Sequence, residues 1–192
     1  MKFNLSEITS IIKNRRSIPP ERFSQRVVHR EIVENLLRNA TWAPTHGNTQ
    51  PWRFKVYSGS ARTQLAEALG EAYLKEEDVN QVKFDRLKAR PGLSSVCIVV
   101  SMSRQETEKI PVIEEVEAVA CAVQNLALTA TAYGISAFWS TPKCVYGESF
   151  GQWLGLGPKD QCLGIIYLGY PSEEWPQGQR RPIEYVTQWI EE

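Results

Sequence analysis

The apolar positions of this chain follow two rhythms, and the changes between them mark its elements. Leu5, Ile8, Ile11 and Ile12 recur at helical spacing, with Ser6 able to cap the start, and predict an amphipathic helix over 6–14. In a second helix, Ile32, Val33, Leu36, Leu37 and Ala40 share one face opposite charged residues. Phe54 and Val56 alternate with polar neighbours, so 54–57 reads as a strand, followed by a turn at 58–60 and a helix over 62–74. SVCIVVSM, 95–102, is a short, continuous apolar run rich in β-branched residues, which suits a strand buried on both faces. The longest repeat runs from 113 to 133. There Val116, Val119 or Ala120, Val123, Leu126 or Ala127, and Ala130, with small residues almost all round, predict a helix buried on several sides, and Gly134 stands where a left-handed cap would end it. Strands at 135–139 and 162–171, and a short helix over 147–155 carrying Phe150, Trp153 and Leu154, complete the pattern.

Between these elements, 75–92 (KEEDVNQVKFDRLKARPG) offers few apolar anchors and closes on Pro91 and Gly92, which predicts a solvated lid or loop. No internal repeat or linker divides the 192 residues, so one α+β domain over 1–192, built around a small sheet, is expected. The 22 basic residues match the 22 acidic ones, and zero formal net charge removes the global electrostatic case for nucleic acid or an anionic membrane as partner. No run approaches the roughly 20 apolar residues that cross a bilayer, and MKFNLSEITSIIKNRRS contains no apolar h-region, so a cytoplasmic protein is expected. The four cysteines, Cys97, Cys121, Cys144 and Cys162, form no C-x-x-C pair and have only two histidines to help them. That spacing argues against a structural metal and a disulfide scaffold and for reduced, mostly buried thiols.

Conventional catalytic signatures are missing. There is no G-x-S-x-G elbow, no P-loop and no G-x-G-x-x-G, and LGLGP at 154–158 is interrupted by Pro158 ahead of a strand. What remains suits a planar, anionic ligand. Arg15, Arg16 and Ser17 combine two guanidinium forks with a hydroxyl, which is good phosphate chemistry, and a second pair, Arg180 and Arg181, precedes Pro182 in the tail. An elaborate turn, APTHGNTQPW over 43–52, presents His46, Asn48 and Gln50, while Trp52 reads as core.

Taken in order, KNRRS, L-x-x-A-x-W-A-P-T-x-x-N-x-Q-P-W-R-F (37–54), G-I-S-A-F-W-S-T-P (134–142), L-G-I-I-Y-L-G-Y-P (163–171) and Q-R-R-P-I-E-Y-V (179–186) span nearly the whole chain. In this combination the sequence resembles the nitroreductase family of flavin-dependent oxidoreductases, in its shorter branch. The resemblance implies a nitroreductase-like α+β fold with a small mixed or antiparallel sheet flanked by helices, and an entwined homodimer with one FMN at each of two shared sites. It also implies roles for individual residues. Arg15, Arg16 and Ser17 would grip the FMN phosphate and ribityl chain. Arg180 would add a phosphate contact, with Arg181 compensating for Gly178, where the family tail often carries lysine. Trp42 stands where the short branch can carry a flavin-contacting arginine. His46, Asn48 and Gln50 would be polar contacts for the ring, not a proton relay; Trp139, Ser140 and Thr141 would pass close to the isoalloxazine; and Gly169 would allow close backbone approach near the phosphate.

With FMN carrying the redox chemistry, no catalytic side chain is required, and the implied activity is ping-pong reduction of a flat, electron-poor nitroaromatic or quinone by NADH or NADPH, through hydride transfer at flavin N5. Dehydrogenation and dehalogenation belong to the same family, and a flavin-binding carrier or regulatory protein without useful turnover is the alternative of a different class.

Overall fold

A computed structural model describes residues 3–76 and 78–191. In chain order the elements are α1 (Leu5–Asn14), α2 (Arg30–Ala40), β1 (Trp52–Ser58), α3 (Ala61–Tyr73), α4 (Gln81–Leu93), β2 (Val96–Met102), α5 (Val112–Ala132), β3 (Ser136–Ser140), α6 (Glu148–Leu154) and β4 (Gln161–Gly169). The strands form one sheet in the order β1-β2-β4-β3, antiparallel at every pairing, so the fold is α+β. β2 is buried at every position, as its unbroken apolar run predicts. Its alternation divides the interior: Val96, Ile98, Val100 and Met102 join Ile166 and Leu168 against α2 and α5, while Cys97 and Val99 join Ile165 and Tyr167 against α3, α4 and α6. Trp52 lies in the first of these clusters, as expected.

Three expectations change. The cap of α1 is Asn4, whose Oδ1 accepts from the Ser6 and Glu7 amides at 3.1 and 3.4 Å, so the helix begins one residue before Ser6. The 75–92 segment is largely helical, residue 77 lying outside the described residues; Asn80 caps α4 by accepting from the Lys83 amide, and Pro91 sits in its last turn. Phe84 and Leu87, spaced one turn apart, are enough to dock it on α3, where Gly70 lies against the Lys88 side chain and Tyr73 meets the Phe84 ring. Finally, the apolar stripe of α1 is only partly covered by the described residues: Ile11 is half-buried, no residue of the helix is buried, and Leu5, Ile8 and Ile12 are exposed.

A bulge aims the end of β3. Val100 pairs with Gly164 but Ser101 pairs with Cys162, so Leu163 is extra, and its carbonyl accepts the Trp139 indole N–H at 2.9 Å. Gly164 has φ +119, and a Cβ there would stand 2.7 Å from the Ser140 carbonyl oxygen and 2.8 Å from both Thr141 Cγ2 and Trp139 Nε1. Gly164→Ala therefore combines backbone strain with overpacking and should cost about 3 kcal/mol, a fall in Tm of roughly 6–12 °C for a domain of this size. Thermal melts check this, and a fall of less than about 2 °C would show that the bulge relaxes freely.

Cys97, Cys144 and Cys162 are buried, and burial pushes their thiols up to about 12, about 11 and about 11; Cys121 is exposed. Among the described residues no helix is long and apolar enough to cross a membrane, and no cluster of His, Cys, Asp or Glu could hold a metal ion.

Candidate active site

The arginine cluster is assembled by contacts far apart in sequence. Ile18 donates its amide to Ser136 Oγ at 3.0 Å, and that hydroxyl donates back to the Ile18 carbonyl at 3.1 Å, pinning the Arg15–Ser17 segment to the start of β3. Arg16 then ties down the tail. Its Nε donates to the Pro176 carbonyl at 2.8 Å and its NH1 to the carbonyls of Lys13 and Arg15, while the absent side chain of Gly178 leaves the space that the guanidinium fills. Trp175 adds an indole N–H to the Asn14 carbonyl. The result brings Arg180 towards Arg15: burial, then the charges of Arg180 and Arg16, hold the Arg15 guanidinium below its usual range. Arg15 donates to Ser17 Oγ at 3.3 Å, and Arg180 to the Gln179 carbonyl. No carboxylate among the described residues lies within ion-pair distance of Arg15, Arg16, Arg180 or Arg181. Clustered like charges without acids are unfavourable unless an anion occupies the place between them.

The turn that looked elaborate in sequence is also strained. Gly47, Asn48 and Gln50 have φ of +57, +53 and +45, and left-handed conformations at non-glycine residues cost of order 1–3 kcal/mol each. Local bonds hold them: the Gln50 amide donates to Thr45 Oγ1 at 3.2 Å, Gln50 Nε2 donates to Asn48 Oδ1 at 2.9 Å, and Arg53 donates to the Gln50 carbonyl. Ile110 packs beneath Gly47, and His46 Nδ1 meets Glu114 Oε2, in the first turn of α5, at 2.5 Å. Behind this contact, Arg104 pairs with the fully buried carboxylate of Glu115 and donates to the Ile110 carbonyl at 2.7 Å.

A third part lies along the first half of α5. Val116 and Ala120 face Trp139, Thr141, Tyr146 and Leu163 across an apolar pocket of about 360 Å³. Ser140 and Thr141 also border a charged cleft of about 560 Å³ shared with Lys83, Arg86 and Arg90. A larger cleft, about 740 Å³, lies elsewhere, beside the edge of β1 at Val56 and Ser58, and is lined by none of the candidate flavin-binding residues. Volume alone is therefore a poor guide here, and the convergence of charge and strain marks the site better.

The surroundings of the remaining candidates differ. At Gly169 the Phe23 ring fills the space of a Cβ, so packing alone is enough to require glycine there. Trp42 follows α2 as an 84% exposed side chain and joins neither the arginine cluster nor the pocket. Arg181 is exposed and makes no side-chain hydrogen bond to a described residue. Glu114 and Tyr146 escaped the sequence reading, and Val116 and Ala120 were read only as helix positions, since an acid in the first turn of a helix and small residues along it are ordinary features.

The antiparallel sheet flanked by helices, the arginine cluster without a carboxylate among the described residues and the left-handed polar turn together define the fold and candidate site. The chain belongs to the nitroreductase family, whose model matches residues 12–170, and it is accordingly an oxidoreductase. Among its relatives is YfhC of Bacillus subtilis, whose name places it provisionally among the NAD(P)H nitroreductases, 30% identical over 93% of this chain and 91% of that protein. The crystal structure of a nitroreductase-like family protein from Bacillus cereus covers 100% of both chains at a TM-score of 0.85 and 28% identity. The FMN-dependent nitroreductase NfnB of Mycobacterium smegmatis, solved with NADPH, shares the fold at a TM-score of 0.73 and 20% identity, covering 97% of this chain and 99% of its own.

Proposed function

We propose that this protein binds FMN and uses NADH or NADPH to reduce a flat, electron-poor acceptor of the nitroaromatic or quinone class in ping-pong fashion. The observation that carries the reading is the convergence of Arg15, Arg16 and Arg180 beside Ser17 with no carboxylate to neutralise them. A terminal phosphate supplies the missing negative charge and accepts the free guanidinium and hydroxyl donors. When bound, FMN supplies the redox chemistry, taking hydride from the nicotinamide and passing electrons to the acceptor. The chain does the rest. Arg15, Ser17 and Arg180 hold the phosphate, and Arg16 keeps the tail in place while adding its charge. Trp139, Ser140, Thr141 and Tyr146 would wall the ring with apolar surface and backbone groups, and Asn48 and Gln50 would offer it polar contacts.

One copy does not bring these parts together. The arginines stand near Ser136, beyond the C-terminal end of α5, and the 46–50 turn is held at its N-terminal end by Glu114. At 1.5 Å per residue, the 21 residues of α5 separate the two by on the order of 30 Å, more than a mononucleotide spans. Two copies with α5 antiparallel place the arginines of each beside the turn of the other, giving two shared sites. The same pairing covers apolar surface that a single chain exposes: the α1 stripe, and Ile183, Tyr185, Val186, Trp189 and Ile190 of the tail. The unpaired edge of β1, with its adjoining cleft, is suited to receive an extended tail from the second copy.

The test is direct. Purified protein should carry flavin absorbance, lose that absorbance on mixing with NADH or NADPH under argon and regain it with a quinone, and run at about twice the 21.8 kDa of one chain. Bound flavin that resists both nicotinamides would make the protein a carrier, and a colourless monomer that ignores added FMN would remove the proposal altogether.

A further inference from the structure

The strained turn contains one pair that flavin binding does not require. His46 is 62% exposed along its side chain, yet its Nδ1 is held 2.5 Å from the Glu114 carboxylate. A carboxylate at Nδ1 selects the tautomer protonated on that nitrogen and leaves Nε2 as the working atom, and His46 Nε2 makes no hydrogen bond to any described residue. Two neighbouring cations are already engaged: Arg104 with Glu115 and the carbonyls of Glu108 and Ile110, and Arg53 with the carbonyls of Gln50 and Trp52. Backbone strain at Gly47, Asn48 and Gln50 fixes where the imidazole stands. A ring contact alone would need neither a chosen tautomer nor a buttressing acid.

We infer that His46 is the proton donor to the electron acceptor, with Glu114 as its positioning residue; the inference rests on the function proposed above. A quinone becomes a hydroquinone by gaining two electrons and two protons. NAD(P)H brings the electron pair and one proton as hydride, so one further proton must come from elsewhere. Protonated His46 delivers it: the Nε2–H bond breaks, an O–H bond forms on the acceptor, and the exposed imidazole recovers a proton from the medium. For a nitro group the same delivery assists loss of water as two electrons and two protons convert it to nitroso. Glu114 keeps its contact with Nδ1 and holds the ring in place while the proton moves.

The experiment compares wild type, His46→Gln and Glu114→Gln, each loaded with FMN and first reduced by NAD(P)H. Reoxidation by a quinone should slow about 100-fold in His46→Gln, the lower end of the usual contribution of a positioned acid. Reoxidation by ferricyanide, which takes an electron and no proton, should stay within about twofold of wild type, as should reduction by NAD(P)H. Glu114→Gln should slow quinone turnover less and shift its pH profile. A separate readout needs no turnover: with only two histidines in the chain, ¹⁵N imidazole spectra can be assigned using the His46→Gln variant, and they should show His46 protonated on Nδ1 in wild type and a mixture of tautomers in Glu114→Gln. Equal slowing with quinone and ferricyanide, or an unchanged quinone rate, would overturn the inference while leaving the flavin function standing. Wild type that takes up no FMN, or is not reduced by either nicotinamide, would remove the function and the inference together.

Discussion

Arg104→Met is expected to cost about 3–5 kcal/mol of folding stability, the usual penalty for stranding one member of a buried ion pair. Glu115 is 1% exposed within α5, and the Arg104 guanidinium is its charge partner, with the Gln105 amide adding a bond at 3.3 Å. Without the arginine the carboxylate is left uncompensated where water cannot reach it. Replacing both partners, Arg104→Met with Glu115→Leu, should recover most of the loss, because the penalty belongs to the unpaired charge and not to the absence of the bridge. Guanidinium chloride unfolding of the two variants checks both statements, and a single-variant cost below about 1 kcal/mol would show that the site admits water. The consequence reaches the function. Arg104 also holds the Glu108 and Ile110 carbonyls, and Ile110 supports Gly47, so the single variant should loosen the 46–50 turn as well.

The second large effect is on cofactor affinity. Arg15→Ala combined with Arg180→Ala would remove the two charge-assisted contacts proposed for the phosphate, at ~1.5–3 kcal/mol each, so FMN should bind about 10²–10⁴-fold more weakly. The apoprotein should lose no stability, since the two guanidinium groups repel one another and neither has a carboxylate among the described residues. Arg16→Ala is a different perturbation: it weakens FMN binding and also frees the tail from Pro176, so it should raise protease sensitivity after residue 170. Calorimetric titration of the apoproteins with FMN separates these cases. Unchanged affinity in the double variant would remove the phosphate assignment.

Much of the fold was legible beforehand because its signals are local. β2 declares itself by a continuous apolar run, α5 by a helical repeat of small residues, and Gly134 by its place after that repeat, where it adopts φ +69. The missed helix, α4, carries too little apolar surface to be recognised alone, and it becomes a helix because Phe84 and Leu87 meet α3. The site was legible in its residue types and not in its division of labour. Arg16 looked equivalent to Arg15, but it acts largely on a carbonyl 160 residues away. Gly169 has a packing reason the sequence did not show, the Phe23 ring standing where its Cβ would be. His46 looked like one polar contact among three, because its carboxylate partner lies 68 residues further along the chain.

The amino-acid sequence on its own determined the order of helices and strands, the buried character of the central sheet and the supply of guanidinium, amide and indole groups, all of which depend on residues within a few positions of one another. Only the tertiary structure decided which arginine is free to meet an anion, which glycine yields to a neighbour, and which histidine is backed by an acid. Those outcomes depend on pairs joined across the fold, where the distance along the chain carries no information about the distance in space.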